Sequence, residues 1–255
     1  MAKIVALHSY RGGTGKSNIC ANVAVAVALQ GKRVGLVDID IPSPGIHFIF
    51  GLEQDISAPK TLNDYLWGRC AVEDVAYDVT PTAVRDEAGV IYLVPSSVNA
   101  DDIAKVLTEG YDFKKLNEAF RRFGEYYNLD YIFLDTHPGL NKETLLAIAV
   151  SHLLLLILRP DRQDYQGTAV TVDIARRLRV KNIHLVINKA LPTMNLEVLR
   201  LKVQQTYNLL VAGLLPLSPD MMQLGSTGIF CLKYPDHAFT AEIGKIAMQV
   251  LSIWE

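Results

Sequence analysis

Apolar positions in this chain fall into two kinds of run. Short runs of four to seven apolar, often β-branched residues alternate with longer stretches of helical period. Lys3–His8, Arg33–Asp38, Val90–Val94, Tyr131–Leu134, Leu153–Leu158, Ile183–Ile187 and Leu210–Leu214 read as strands. They lack polar alternation, and a strand without alternation is covered on both faces. Ser17–Gln30, Asp112–Tyr126, Lys142–Val150, Tyr165–Leu178, Leu196–Thr206 and Ala238–Ile253 read as helices, the first ended by Gly31. The βαβα order predicts an α/β fold of three layers, with a mostly parallel central sheet between two helical layers. Residues Pro42–Thr82 form the least regular part, broken by Pro42, Pro44, Gly45, Gly51 and Pro59. They are read as an inserted or mobile segment of a single domain, residues 1–255, since no repeat, low-complexity tract or linker divides the chain.

Composition narrows the class. Half of the 255 residues are hydrophobic and 20% are charged, which excludes intrinsic disorder. With 25 Lys and Arg against 27 Asp and Glu, the net charge of −2 argues against a dedicated basic nucleic-acid module and leaves only a local patch. Cys20, Cys70 and Cys231 are far apart and form no CxxC pair. A disulfide framework, a zinc finger and a cysteine-held cluster within one chain are therefore not expected. Met1–His8 has no signal-peptide pattern, and the longest greasy stretch, Leu145–Leu158, is 14 residues where a bilayer needs about 20. The reading is a soluble, cytoplasmic protein.

The most informative residues follow the first strand and open the first helix: Ser9, Tyr10, Arg11, Gly12, Gly13, Thr14, Gly15, Lys16 and Ser17. That context is what a phosphate cradle requires. Glycines let backbone N–H groups approach phosphate oxygens, and the helix N-terminus adds partial positive charge. Lys16 can reach the β- and γ-phosphates and the Ser17 hydroxyl can ligate Mg²⁺. Asn18 is counted with the cradle as a nucleotide contact.

The strict G-x-x-x-x-G-K-[ST] pattern fails at Tyr10. The run R-G-G-T-G-K-S instead resembles the deviant Walker A motif K-G-G-x-G-K-[ST] of the ParA/MinD family of P-loop ATPases. In that family the first lysine reaches across a nucleotide-sandwich dimer; here its place is taken by Arg11, which keeps the charge with a planar fork. The resemblance covers nearly the whole chain and implies a P-loop NTPase fold, ATP and Mg²⁺ as cofactors, and a homodimer formed on ATP binding. Leu36–Asp40 looks like the family's D-x-D strand end. Alternation puts Asp38 and Asp40 on one side. The resemblance implies that Asp40 orients the attacking water and that Asp38 supports the metal shell. Tyr131–Asp135 reads as Walker B, with Asp135 holding Mg²⁺ through water. Thr136–Gly139 is similar to the family's D-x-P-x-G switch, with His137 where proline is usual and Gly139 offering its N–H to the γ-phosphate. A general base is not needed for this chemistry, so His137 is not given a catalytic role, and the other five histidines show no metal-ligand spacing.

Asn188 ends a strand where family members read the adenine edge, and an amide offers both donor and acceptor. Gly213–Asp220 resembles the segment that packs on adenine, with Pro216 in place, Ser218 where the family has an acid, and Asp220 two residues later. In the last helix Phe239, Ile243, Ile246, Val250 and Trp254 make one apolar stripe, and Lys245 is its one basic residue. This predicts core packing and no amphipathic membrane tail, the chain stopping at Glu255. Arg176, Arg177, Arg179 and Lys181 make one basic cluster, a solvated helix end or a patch for nonspecific DNA binding.

The function expected from the resemblance is a slow Mg-ATP-dependent ATPase that switches between monomer and sandwich dimer to position or partition a cargo. An ATPase-stimulating partner or cargo adaptor is expected with it. Two alternatives remain: a metabolic or maturation ATPase of the same superfamily, metallochaperone-like, or a weakly hydrolysing nucleotide-sensing regulator.

Overall fold

The computed structural model describes residues 1–52 and 60–254; Pro59 and Glu255 lie outside the described residues. Eight strands form one sheet in the order β3-β4-β2-β5-β1-β6-β7-β8. They are β1 (Lys3–His8), β2 (Arg33–Ile39), β3 (Tyr77–Asp78), β4 (Val90–Val94), β5 (Tyr131–Thr136), β6 (Leu153–Leu158), β7 (Asn182–Ala190) and β8 (Leu210–Pro216). Every pairing is parallel except β3 with β4. The three-layer fold expected from the sequence is therefore the one observed. The two-residue β3 is an addition, too short to carry a periodic signal.

The helices described are α1 (Lys16–Ala28), α2 (Ile46–Ile49), α3 (Leu62–Leu66), α4 (Thr82–Asp86), α5 (Ala100–Glu109), α6 (Phe113–Tyr126), α7 (Lys142–Val150), α8 (Arg162–Arg177), α9 (Leu196–Tyr207), α10 (Pro219–Leu224), α11 (Phe230–Lys233) and α12 (Ala238–Ser252). Alternate residues of each strand feed opposite layers. On one face Ile4, Ala6, Val37, Ile132 and Leu154 pack with Phe120 and Phe123 of α6, Ile148 of α7 and Val172 of α8. On the other, Val5, Leu7, Leu36 and Phe133 pack with α1 and with Phe239, Ile243, Ile246 and Val250 of α12. The stripe of the last helix is thus core, with the Trp254 ring 5.7 Å from that of Tyr131. Among the described residues no helix is long and apolar enough to cross a membrane.

Several boundaries differ from the sequence reading. β5 and β7 run on past the end of their apolar runs. The ladder continues through polar residues, pairing Leu7 with Asp135, Asp38 with Asp135 and Ile39 with Thr136. Backbone hydrogen bonds do not depend on side-chain polarity, so apolar content truncates strands where the polar residues begin. Helix starts differ through caps. Asp161 accepts from Gln163 N and Asp164 N and starts α8 at Arg162. Asn99 caps α5, a mostly polar helix absent from the sequence reading, in which Val106 is the one buried residue.

The outer edge of β8 is blunted from both helical layers. Arg200 of α9 donates to the Val211 carbonyl at 2.8 Å, and Leu214 N donates to Glu242 of α12 at 3.2 Å. Those two charges occupy backbone groups that another chain could otherwise pair with.

Helix and sheet approach each other tightly at Gly35 in β2. A Cβ there would lie 2.4 Å from Phe123 and 2.6 Å from Leu129, both in rigid core. Gly35→Val should therefore lower the free energy of unfolding by about 1–3 kcal/mol in urea titration, the usual cost of overpacking.

Candidate nucleotide-binding site

The loop between β1 and α1 is held in shape by its neighbours. Gly13 (φ 74°) and Gly15 (φ 87°) occupy the left-handed region, and Gly15 is the N-cap of α1. A Cβ on Gly15 would lie 2.6 Å from Asn188 Nδ2, so this position is glycine for space as well as backbone. Asn188 Nδ2 donates to the Thr14 carbonyl at 2.7 Å, and Lys189 Nζ donates to that of Gly13 at 2.8 Å. The end of β7 thus supports the loop from behind. Gly139 N donates to the Ser9 carbonyl at 3.2 Å, which joins the loop after β5 to the same structure.

Three strand-end carboxylates meet under this loop, and Lys16 is inserted among them. Its Nζ lies 2.6 Å from Asp135 Oδ1, with both side chains buried. Burial opposes the lysine charge, but Asp135, with Asp40 and Asp38 behind it, more than offsets this and raises the Lys16 pKa. Asp38 is wholly buried and its pKa is pushed up to about 8 by burial, then by Asp135 and Asp40. One Asp38 oxygen accepts from Asp40 N at 3.0 Å, the other from Gly45 N at 3.0 Å and Ile46 N at 3.4 Å. Asp38 thereby braces the backbone turn into α2. Burial also raises the Asp40 pKa, against the opposing hydrogen bond from His137.

A cleft of about 410 Å³ is lined by Gly12, Gly13, Thr14, Gly15, Lys16, Ser17, Asn18, Asp40, His137 and Ser226, among others. A second, of about 230 Å³, adjoins it and is lined by Asn18, Asn188, Pro216, Ser218, Met221 and Phe239. The expected phosphate and base contacts therefore surround two adjoining clefts, with Asn18 and Ser226 at the junction. Ser218, at the position of the family acid, caps α10 by accepting from Met221 N. Asp220 faces His237 instead, at 3.5 Å.

The residues present fit Mg²⁺. Asp135 Oδ2 is buried without a hydrogen-bond partner beneath Lys16, which lines the first cleft together with Ser17. Among the described residues no group of three or more His, Cys, Asp or Glu makes a metal cage. That suits an ion held by one or two protein oxygens together with phosphates and water.

Arg11 does not stand free. Its Nη1 lies 3.6 Å from Asp164 and 3.7 Å from Asp161, at the N-terminus of α8, where Arg159 also pairs with both. The Tyr10 ring covers Gly167 of α8; a Cβ there would come within 2.1 Å of it. Tyr10, which departs from the strict P-loop pattern, and Arg11, which replaces the lysine of the deviant motif, thus dock the loop onto α8. In the basic cluster, Arg176 donates to the Tyr207 carbonyl at 2.7 Å and Arg177 pairs with Asp173 at 2.9 Å, while Arg179 and Lys181 are exposed.

Sequence reasoning missed Lys189, Ser226 and the contact of His137 with Asp40. Ser226, with φ 64° between Gly225 and Gly228, has no signal beyond those glycines. His137 had one: a ring nitrogen where the motif usually has proline.

The ParA family model, described as "NUBPL iron-transfer P-loop NTPase", matches residues 1–251. The chain belongs to the ParA family. It is 29% identical to the uncharacterized ATP-binding protein MJ0547 of Methanocaldococcus jannaschii over 98% of this chain and 88% of that one. It is 26% identical to an iron-sulfur cluster carrier protein of Rickettsia felis over 73% of this chain and 53% of that protein. The septum site-determining protein MinD of Pyrococcus horikoshii, solved with Mg-ADP, has the same fold. Its TM-score is 0.80 at 23% identity, over 98% of this chain and 96% of that one. The ParA-family P-loop in this chain is the loop that β7, α8 and the segment after β5 hold.

Two outcomes follow from the buried charges. Lys16→Ala leaves Asp135 uncompensated beside two more carboxylates, so stability in urea should fall by about 3–5 kcal/mol without nucleotide. His8 is fully buried, its Nδ1 2.9 Å from Thr136 Oγ1, and burial with Lys16 and His137 nearby lowers its pKa to about 3. Below pH 6.5 the unfolded chain takes a proton there that the folded chain refuses. His8 therefore costs about 1.4 kcal/mol per pH unit as pH falls from 6.5 towards 3. In urea titrations at several pH values, His8→Gln should be flatter over this window than the wild type.

Proposed function

We propose that this chain is a slow Mg-ATP-dependent ATPase that switches between a monomer and a nucleotide-sandwich dimer to position or partition a cellular cargo in the cytoplasm. The observation that carries the reading is the insertion of Lys16 among Asp38, Asp40 and Asp135 at the floor of a glycine-lined cleft. A polyanionic ligand with a divalent cation would replace both halves of that arrangement: phosphate oxygens take the lysine, and the cation takes the carboxylate. Mg²⁺, when bound through Ser17 and Asp135, would neutralise charge developing on the phosphoryl oxygens. Lys16 and the N–H groups of Gly12–Gly15 bind and align the phosphates, and Gly139 N exchanges the Ser9 carbonyl for the γ-phosphate. Asp40 orients the attacking water. Asn188, Pro216 and the Asn18 side chain enclose the base.

Dimerisation would give Arg11 a partner in the second protomer. It must first leave Asp161 and Asp164, and that pairing is weak, since Arg11 is 40% exposed at separations of 3.6 and 3.7 Å. A nonspecific DNA surface would rest on Arg179 and Lys181, with Arg176 and Arg177 partly committed at home. Surface binding of that kind weakens steeply with salt. An ATPase-stimulating partner or cargo adaptor belongs with this reading.

A second reading, a maturation ATPase that carries an iron–sulfur cluster, is favoured by the Rickettsia felis relative and by the family description. Against it, Cys20 and Cys231 are buried, and burial raises both thiols, that of Cys231 to about 12. Thiolates are what a cluster binds.

The test is nucleotide binding followed by light scattering. The wild type should bind a fluorescent ATP analogue and double its mass with saturating Mg-ATP. Lys16→Ala should lose binding altogether, and Asp40→Ala should bind ATP and stay dimeric. A wild type that remains monomeric at saturating Mg-ATP overturns the sandwich reading. Anaerobic iron and sulfide giving a protein-bound cluster would favour the second.

A further inference from the structure

His137 makes a contact that neither the P-loop chemistry nor the family motif requires. Its Nδ1 lies 2.6 Å from Asp40 Oδ1. Among the described residues this is the one hydrogen bond to the Asp40 carboxylate, whose own backbone N is held by Asp38. With Asp40 ionised the carboxylate can only accept, and Nδ1–H is then the donor. One Asp40 oxygen is thereby fixed, and the other is left for the cleft that both side chains line.

The ring is itself placed by backbone ties on both sides. Thr136 Oγ1 donates to the Leu7 carbonyl at 2.9 Å and Gly139 N to the Ser9 carbonyl at 3.2 Å, while the Thr144 hydroxyl, donating to Asn141 Oδ1 at 2.5 Å, makes a second, longer contact with the His137 carbonyl at 3.3 Å. The donor reaching Asp40 is therefore referred to β1, to α7 and to the phosphate loop together. A carboxylate on a short side chain has two soft torsions. Holding one oxygen selects one orientation of the other, and such orientation is what a water-positioning group contributes. Proline at this position has no side-chain N–H and could not do this.

We propose that His137 is the positioning residue for Asp40, setting the direction in which its free oxygen meets the attacking water. The proposal rests on the ATPase reading above. It is tested with His137→Ala, His137→Asn, Asp40→Ala and the double variant His137→Ala/Asp40→Ala. Each is measured for Kd of a fluorescent ATP analogue, for single-turnover hydrolysis of Mg-ATP, and for thermal unfolding.

His137→Ala should slow the single-turnover step by about 10–100-fold, the scale of a misplaced catalytic group. Its nucleotide Kd should stay within about twofold of wild type, since no binding contact is removed. His137→Asn, which keeps a short N–H donor, should recover most of the rate. The double variant should be no slower than Asp40→Ala alone, because His137 acts only through Asp40. Equal slowing by Ala and Asn, a wild-type rate for Ala, or additive losses in the double variant would each overturn the proposal. A wild type that binds ATP without hydrolysing it overturns the ATPase reading and this proposal with it. Turnover by the wild type with no effect at His137 overturns the proposal alone.

Discussion

The buried ion pair between Lys16 and Asp135 is the constraint on which the site depends. Three carboxylates converge where β2 and β5 end, and one lysine answers them. Removing such charges from water is costly unless they are paired and hydrogen-bonded. The rest of the cluster shows how this is met: Asp38 takes three backbone N–H groups and has a pKa pushed up to about 8, and Asp40 takes His137. Asp135 Oδ2 and the Thr14 hydroxyl stay without partners. A site with orphaned acceptors and a lysine folded inward is poised for an anion–cation pair, because that ligand satisfies groups the protein leaves unmatched.

The same constraint explains the loop above it. A phosphate cradle needs backbone N–H groups facing one point, a conformation with little support of its own. Here it is supported from outside. Asn188 and Lys189 hold the carbonyls of Thr14 and Gly13, Gly139 holds that of Ser9, and Tyr10 and Arg11 dock on α8. Asn188 is thus a strut of the loop as well as a lining residue of the base cleft. Tyr10 and Arg11, the departures from the strict and the deviant motif respectively, are the points where the loop is joined to α8.

Membership of the ParA family establishes a P-loop NTPase fold and an ATP-binding lineage that includes MinD and iron–sulfur carrier proteins. In this chain Cys20 and Cys231 are buried, the basic cluster is half committed to its own fold, and Arg11 is held at home by weak pairing.

Apolar runs were enough to show the layers, the alternation of strands with helices and most of the helices, because burial on both faces leaves a contiguous hydrophobic signature. The spacing of Gly12, Gly13, Gly15, Lys16 and Ser17 showed the phosphate loop, since local backbone chemistry alone demands those residue types. What the apolar runs did not show begins where apolar content stops: the full lengths of β5 and β7, the polar helix capped by Asn99, the start of α8 after Asp161, and the two-residue β3. The partners of each functional residue were likewise out of reach. Lys16 meets Asp135 across 119 positions, and His137 meets Asp40 across 97. Local sequence specifies which chemistry a residue can offer; only the parallel sheet, by bringing distant strand ends to one edge, decides which charge it answers.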